Sequence, residues 1–323
     1  MDESTAGAFL DPDYLSSYTS IGAAIENLLL SAARQHLKVE WKLTPELTPT
    51  HIAWFNFTVN PEPDETAIQL AMQISSRHTN RKITARTELD PSAFKRLEES
   101  CNPYDGISLK WITDPQKLQQ LAAISAYTDL MRLFIPEAYT DFINREMRWS
   151  TEEVAATEDG IGVHTLDLSN NDLIGMRLIK DRRTVDFLQQ INGGNGFKRL
   201  AMQQFMATPA IGLLSVPKSS VTHLINGGRA VERLWLTATG MELQIHPVNV
   251  PLIFFYKNSV EKKLDLPEEN KATLTQFERN FNELFEMGLN EQAIFMFRIF
   301  KASPSPERTI RKSTSKIFSI GRA

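Results

Sequence analysis

Gly22-Ala23-Ala24-Ile25-Glu26-Asn27-Leu28-Leu29-Leu30-Ser31-Ala32-Ala33 and Gly228-Arg229-Ala230-Val231-Glu232-Arg233-Leu234-Trp235-Leu236-Thr237-Ala238-Thr239 are written in one pattern, far apart in the chain. Without a gap, the glycine, an alanine, the glutamate, two leucines and a second alanine coincide, and both copies close on a leucine, Leu37 and Leu243. Small and apolar residues recur at helical spacing in each, so each copy reads as a helix that packs closely along one face. Two such copies imply two related halves folded against each other.

The 323 residues suffice for one large domain or two of ordinary size. Hydrophobic residues make up 42%, charged residues 23%, and the net charge is -4, which fits a soluble globular protein and not a nucleic-acid binder with its basic excess. The positive charge gathers at the end, where Lys301, Arg308, Arg311, Lys312, Lys316 and Arg322 face one acid, Glu307. That tail reads either as a solvated end or as an anion contact. Cys101 is the only cysteine, which rules out an intrachain disulfide and a cysteine-built zinc site and makes a reducing, cytoplasmic location the default. The acidic start Met1-Asp2-Glu3-Ser4 argues against a signal peptide, and the most apolar runs, 251–256 and 293–297, are core-strand sized and too short for a bilayer.

After an unpatterned start, a helix over 20–36 leads into strand candidates 37–41 and 52–59, which could pair as neighbours. Asp64 caps a helix carrying Ile68, Ala71 and Met72, which delivers the chain to Arg77. Asp90-Pro91 and Asp114-Pro115 each combine a cap with a first-turn proline, opening helices through Phe94, Leu97 and Cys101 and through Leu118, Leu121 and Ile124. Pro136 and the polar run 151–160 place a domain boundary between residues 1–148 and 149–323. Beyond it the pattern predicts a helix over 183–191, a flexible connection at Asn192-Gly193-Gly194-Asn195-Gly196, a further helix, a strand over 210–216 and the second repeat helix from Asn226. A strand over 251–256 follows, then a helix from Pro267 that Gly288 stops, and a last strand over 293–300, apolar on both faces until Arg298. Helices and strands mix throughout, with helices more numerous.

The densest positive cluster is Arg77-His78-Thr79-Asn80-Arg81-Lys82. Two guanidinium forks with a hydroxyl between them suit a phosphate monoester, while a basic run is equally at home in a solvated turn. The glycines at 193, 194 and 196 lack dinucleotide-fingerprint spacing and a preceding strand. Histidines 36, 51, 78, 164, 223 and 246 show no metal-ligand spacing, so no metal site is expected. No nucleophile elbow or P-loop occurs, and Cys101 reads as packing. An enzyme built on this chain therefore draws its chemistry from a cofactor.

These residues together resemble the nitroreductase superfamily of flavoproteins, specifically its long single-chain Acg-like branch, in which two nitroreductase-type halves are fused. Arg77-His78-Thr79-Asn80-Arg81 resembles the branch's Arg-x-Thr-Asn-Arg motif, which stands where shorter relatives carry Arg-Arg-Ser-x-Arg and bind FMN phosphate. Gly22 through Leu30 and Gly228 through Thr239 resemble two copies of the family's central helix. Asp159-Gly160-Ile161-Gly162 resembles the start of the second half, and Ala293 through Pro306 with Arg308 and Arg311 resembles the closing strand and arginine-bearing end.

The resemblance implies an α+β fold with an intrachain pseudo-dimer of halves 1–148 and 149–323, either monomeric or a homodimer. It also implies FMN as cofactor, NAD(P)H as co-substrate, and a nitro, quinone or related acceptor. Arg77, Thr79 and Arg81 are the implied phosphate residues, with Arg308 and Arg311 from the other half. His246-Pro247-Val248-Asn249 falls near where relatives present donors to the flavin ring, which makes His246 and Asn249 candidates. Relatives begin with a Pro-Ser-x-x-Asn-x-Gln-Pro-Trp segment whose asparagine reaches the ring, and nothing before Gly22 matches it. An N-terminally incomplete first half is thus expected, and because some relatives carry this module behind an adenylating, ThiF-like domain, the resemblance implies either the nitroreductase portion of such a fusion or a shortened descendant. The alternatives are a non-catalytic FMN-binding or sequestering protein and a degenerate scaffold.

Overall fold

A computed structural model of the chain describes residues 6–48, 51–218, 220–261, 264–305 and 307–317. The acidic N-terminal tetrapeptide, Pro306 and Arg322 lie outside the described residues. The chain runs through α1 (Leu15–Arg34), β1 (Leu37–Thr48), β2 (His51–Val59), α2 (Glu65–Ala71), α3 (Pro91–Cys101), β3 (Ser108–Ile112), α4 (Pro115–Phe134), α5 (Pro136–Asp141), β4 (Met147–Arg148), α6 (Thr151–Thr157) and β5 (Ile161–Gly162). It continues through α7 (Asn170–Leu178), α8 (Arg182–Gln190), α9 (Asn195–Met206), β6 (Ala210–Pro217), α10 (Val221–Gly240), β7 (Leu243–Pro247), α11 (Val250–Tyr256), α12 (Glu268–Leu284), β8 (Glu291–Lys301) and α13 (Thr314–Ile317). The fold is α+β.

Three aspartates start helices as their spacing predicts. The carboxylates of Asp64, Asp90 and Asp114 accept from the backbone N–H of Thr66, of Ser92, and of Gln116 and Lys117. The main sheet has the order β3-β6-β8-β7 with every pairing antiparallel. Alternation along β6 sends Ala210 and Leu214 to one face, where they pack with Leu97 of α3 and Leu234 and Ala238 of α10. Ile211 and Leu213 go to the other face, against Leu121 of α4, Phe205 of α9, Phe254 of α11 and Phe281 of α12. A buried sheet thus lies between two helical layers, and both clusters draw residues from either side of position 148/149.

The repeated helices α1 and α10 touch backbone to backbone. A Cβ on Gly22 would stand 2.0 Å from the Ile225 carbonyl oxygen, and one on Gly228 would stand 1.9 Å from that of Thr19. Thr19 and Ile225 occupy matching positions in the two copies, so the contact is reciprocal. The match persists past the helix ends: Gln35 and Met241 are the C-caps, His36 (φ 54°) and Glu242 (φ 59°) both turn left-handed, and the strands begin at Leu37 and Leu243. There the copies part. β7 joins the main sheet beside β8, whereas β1 pairs only with β2 in a separate antiparallel ribbon.

The shared glutamates are buried at the same crossing. Glu26 is held by Arg229 Nε and Arg233 Nη1, both at 3.0 Å. Glu232 has the Asn27 side chain in the place of Arg233, and Ala23 in the place of Arg229; its cation comes from elsewhere, from Arg77, whose Nε is 2.9 Å from Glu232 Oε1. A buried carboxylate requires such a partner, and burial raises the Glu232 pKa even with one present.

Several local expectations give way to the structure. Residues 251–256 form helix α11, not a strand, because a short apolar run does not distinguish the two and the place beside β8 is taken by β7, whose strand at 243–247 was not foreseen. Pro251 lies in the first turn of α11, where its fixed φ and missing N–H are harmless. Gly288 does not stop α12. The helix ends four residues earlier in sequence terms, at Leu284, with Glu286 left-handed (φ 49°) and the Met287 N–H returning to the Asn282 oxygen at 2.8 Å. The glycine loop is a built turn, since Gly194 (φ 100°) is the N-cap of α9. Helix α1 begins at Leu15, ahead of the expected start, because Asp11 accepts from the N–H groups of Ser16 and Ser17. Likewise α10 starts at Val221, where Ser220 accepts from the His223 N–H.

Candidate functional site

Residues 77–82 lie in an irregular stretch that one side chain pins to the sheet. Asn80 is fully buried (0% exposed); its N–H donates to the Ile245 oxygen at 3.0 Å, and its Nδ2 donates to Gln244 Oε1 and to the Ser303 oxygen at 3.0 and 3.1 Å. Thr79 makes a parallel bridge to Ile245. The basic segment therefore runs along the free edge of β7, and its charges are distributed to either side of that edge.

Arg77 packs over the Trp235 ring at 4.7 Å while pairing with Glu232. Its carbonyl accepts from Arg311 Nη2 at 2.9 Å, which ties the C-terminal segment to the same place. His78 Nε2 accepts from the Ser305 N–H at 3.1 Å, so Nδ1 carries the proton given to the Ser76 oxygen at 2.8 Å. Burial above all, with Arg308, Arg77 and Arg311 nearby, lowers the His78 pKa against the opposing bond to Ser76.

Arg81 is different. Burial lowers its pKa to about 10, no carboxylate offsets that, and its guanidinium makes no hydrogen bond or ion pair among the described residues. Its charge acts on His246, which faces Arg298 across the β7–β8 pairing. Arg298 is 1% exposed and donates to the oxygens of Gln204 and Lys82 at 2.9 and 3.0 Å; burial brings its pKa to about 9. Burial first, then Arg298 and Arg81, push the His246 pKa well below 6.5. Two cations without a nearby acid and a neutral imidazole make this edge of the sheet attractive to an anion.

A cavity of about 900 Å³ opens beside these residues, between the end of α10 (Trp235, Thr239), Gln244 of β7, His78 and the 301–308 segment with Arg308. Its size is that of small-molecule sites, roughly 300–1,000 Å³. Of the residues singled out from sequence, Arg308 lines this cavity, Arg77 and Arg311 meet just behind it, and Thr79, Arg81 and His246 line the β7 edge. Asn249 lies elsewhere. Its Oδ1 accepts from the Met296 N–H at 2.7 Å, and it borders a second cavity of about 500 Å³ with Leu15 and Phe281.

Sequence reading missed Asn80 as the pin, Glu232 as the partner of Arg77, and Arg298. The available signal was a glutamate on each small-residue helix face, since a carboxylate inside a close helix crossing demands a cation. Among the described residues no group of His, Cys, Asp and Glu converges as a metal site, and no helix is long and apolar enough to cross a membrane.

The two depressed histidines fix a sign for pH dependence. Above pH 6.5 both are neutral in the folded and unfolded chain, and their contribution to stability is fully present. Below it the unfolded chain binds protons that the folded chain refuses, so stability falls as pH drops below 6.5. Melting temperatures recorded across that range should decline, and His246→Gln should flatten the decline; an equally steep curve in the variant would contradict the assignment.

No protein-family model matches the chain. Over 297 residues it is 23% identical to the uncharacterized protein MT1398 of Mycobacterium tuberculosis (strain CDC 1551 / Oshkosh), covering 91% of this chain and 40% of that protein. The chain thus spans two-fifths of the length of the curated relative it matches. Among solved structures it is similar to a nitroreductase with bound FMN from Desulfitobacterium hafniense DCB-2, with a TM-score of 0.45, 9% identity, and coverage of 78% of this chain and 98% of that one. It is also similar to the FMN-dependent nitroreductase NfnB from Mycobacterium smegmatis in complex with NADPH, with a TM-score of 0.44, 13% identity, and coverage of 79% and 99%.

Proposed function

We propose that this chain binds FMN and acts as an FMN-dependent oxidoreductase of nitroreductase type, passing hydride from NAD(P)H to a nitro, quinone or related acceptor. The observation that carries the reading is Arg81, a partly buried guanidinium at the edge of β7 with no hydrogen bond or ion pair among the described residues. An arginine in that state fits a phosphate, whose oxygens accept the bonds the protein leaves unmade.

In this reading Arg81 and the Thr79 hydroxyl hold the phosphate at the β7 edge, and Arg77, Arg308 and Arg311 add positive charge from the cavity side. Bound FMN supplies the two-electron chemistry that no side chain here provides. Trp235 and Leu243 give the cavity apolar walls that limit water. His246 stays neutral and leaves the positive charge of Arg81 and Arg298 uncompensated, which favours a ligand that is, or becomes, anionic beside them. The halves 1–148 and 149–323 correspond to two nitroreductase-like units around the α1–α10 crossing, acting on small molecules in a cytoplasmic setting.

A second reading, FMN binding without turnover, is favoured by the prior commitment of several polar groups. Arg77 Nε faces Glu232, both ring nitrogens of His78 are bonded, and Asn249 Oδ1 serves the backbone. The visible spectrum of the purified protein, followed by an FMN titration, tests both readings: flavin absorption is expected, and a protein that stays colourless and binds no added FMN would eliminate both. Anaerobic NADH or NADPH then separates them, since only the oxidoreductase bleaches its flavin.

A further inference from the structure

The β1–β2 ribbon exposes an edge strand that lacks every ordinary protection. β2 pairs with β1 alone among the described residues, and from Ile52 to Val59 it contains no charged residue, proline or glycine. β1, in contrast, carries Lys38, Glu40 and Lys42. Edge strands are normally kept from pairing with other chains by such charges, by prolines or by bulges. The β1 side has that protection and the β2 side does not.

The register also gives the ribbon an apolar face. Leu37, Val39, Trp41 and Leu43 stand opposite Val59, Phe57, Phe55 and Ala53, and alternation puts all eight on one side. Arg229 covers Trp41 at 5.0 Å, and Trp41 stacks on Phe55, but Phe57 and Val59 remain 48% and 81% exposed, with Trp54 at 57% on the opposite side. An isolated two-stranded ribbon is marginal in water, so a third and fourth strand would stabilise it.

We propose that β2 pairs antiparallel with β2 of a second copy of this chain, forming a four-stranded sheet in the order β1-β2-β2-β1 about a two-fold axis. A second copy is the occupant that the charge pattern selects. A two-fold contact sets the strand against its own reversed copy, where a charge without an opposite charge at the mirrored position would be buried unpaired, and β2 has no charge between Ile52 and Val59. With the axis at Phe55, Phe57 lies opposite the partner's Ala53 and Trp54 opposite the partner's Asn56, and the apolar faces of the two ribbons become continuous.

Sedimentation velocity on the whole chain tests this, together with hydrogen exchange of the unmodified protein over a dilution series. A dimer is expected, with amides in 52–58 losing protection as it dissociates. Phe57→Lys places a charge at an exposed position of the contact, and it should weaken dimerisation by at least roughly tenfold while the melting temperature of the diluted, monomeric protein stays unchanged. A wild-type monomer at all accessible concentrations would overturn the proposal. So would a dimer that Phe57→Lys leaves intact, or exchange in 52–58 that does not respond to dilution.

Discussion

Gly22→Ala and Gly228→Ala are each expected to destabilise the protein by about 2–3 kcal/mol, and the pair together to prevent folding. Alanine in a helix ordinarily gains close to 1 kcal/mol over glycine. Here each new methyl would stand 2.0 or 1.9 Å from a backbone carbonyl oxygen of the opposite helix. No rotamer change relieves a clash with backbone, so α1 and α10 must separate, which would disturb the buried Glu26–Arg229 and Glu232–Arg77 pairs at the same crossing. Gly175→Ala in α7 is the control, because its Cβ meets nothing within 4 Å. Urea unfolding should show that control unchanged or more stable by up to about 1 kcal/mol. A silent Gly228→Ala would mean that the two helices do not touch as described.

Arg81→Ala and Arg77→Ala should fail in different ways, although the sequence presents them as equivalent prongs of one clamp. Arg81 holds no protein group among the described residues and is partly desolvated, so its removal should leave stability unchanged or raised while weakening FMN binding by roughly a hundredfold or more. Arg77 neutralises Glu232 inside the helix crossing. Its removal strands a buried carboxylate and should cost about 3–5 kcal/mol whether or not flavin is present. Adding Glu232→Gln to Arg77→Ala should restore much of that stability. Flavin fluorescence and chemical denaturation on the same variants distinguish the outcomes, and loss of FMN by Arg77→Ala alone, with stability intact, would move the phosphate from Arg81 to Arg77.

The candidate site was legible in part. The basic segment, the arginines that follow the last strand and the histidine after the second repeat helix all stood out from their residue types. The structure then sorts them by partner: Arg77, Arg308 and Arg311 gather at the cavity, Arg81 and His246 at the sheet edge, and Asn249 serves the backbone. That sorting depends on Asn80, whose backbone N–H and Nδ2 make three hydrogen bonds that tie it to β7 and to residue 303, and nothing local to the motif announces those distant partners.

The chain's own pattern determined the elements whose signals are local. Aspartate caps set the starts of α2, α3 and α4, and small-residue periodicity marked α1 and α10 as helices meant for close contact, because those interactions lie within a few residues. Tertiary structure alone decided that residues 251–256 form a helix and 243–247 extend, that Arg77 answers a glutamate far along the chain, and that Arg81 is left without a partner among the described residues. The physical reason is common to all three: an apolar run takes whichever conformation the neighbouring sheet leaves open, and a charge takes whichever counter-charge the folded chain brings within reach.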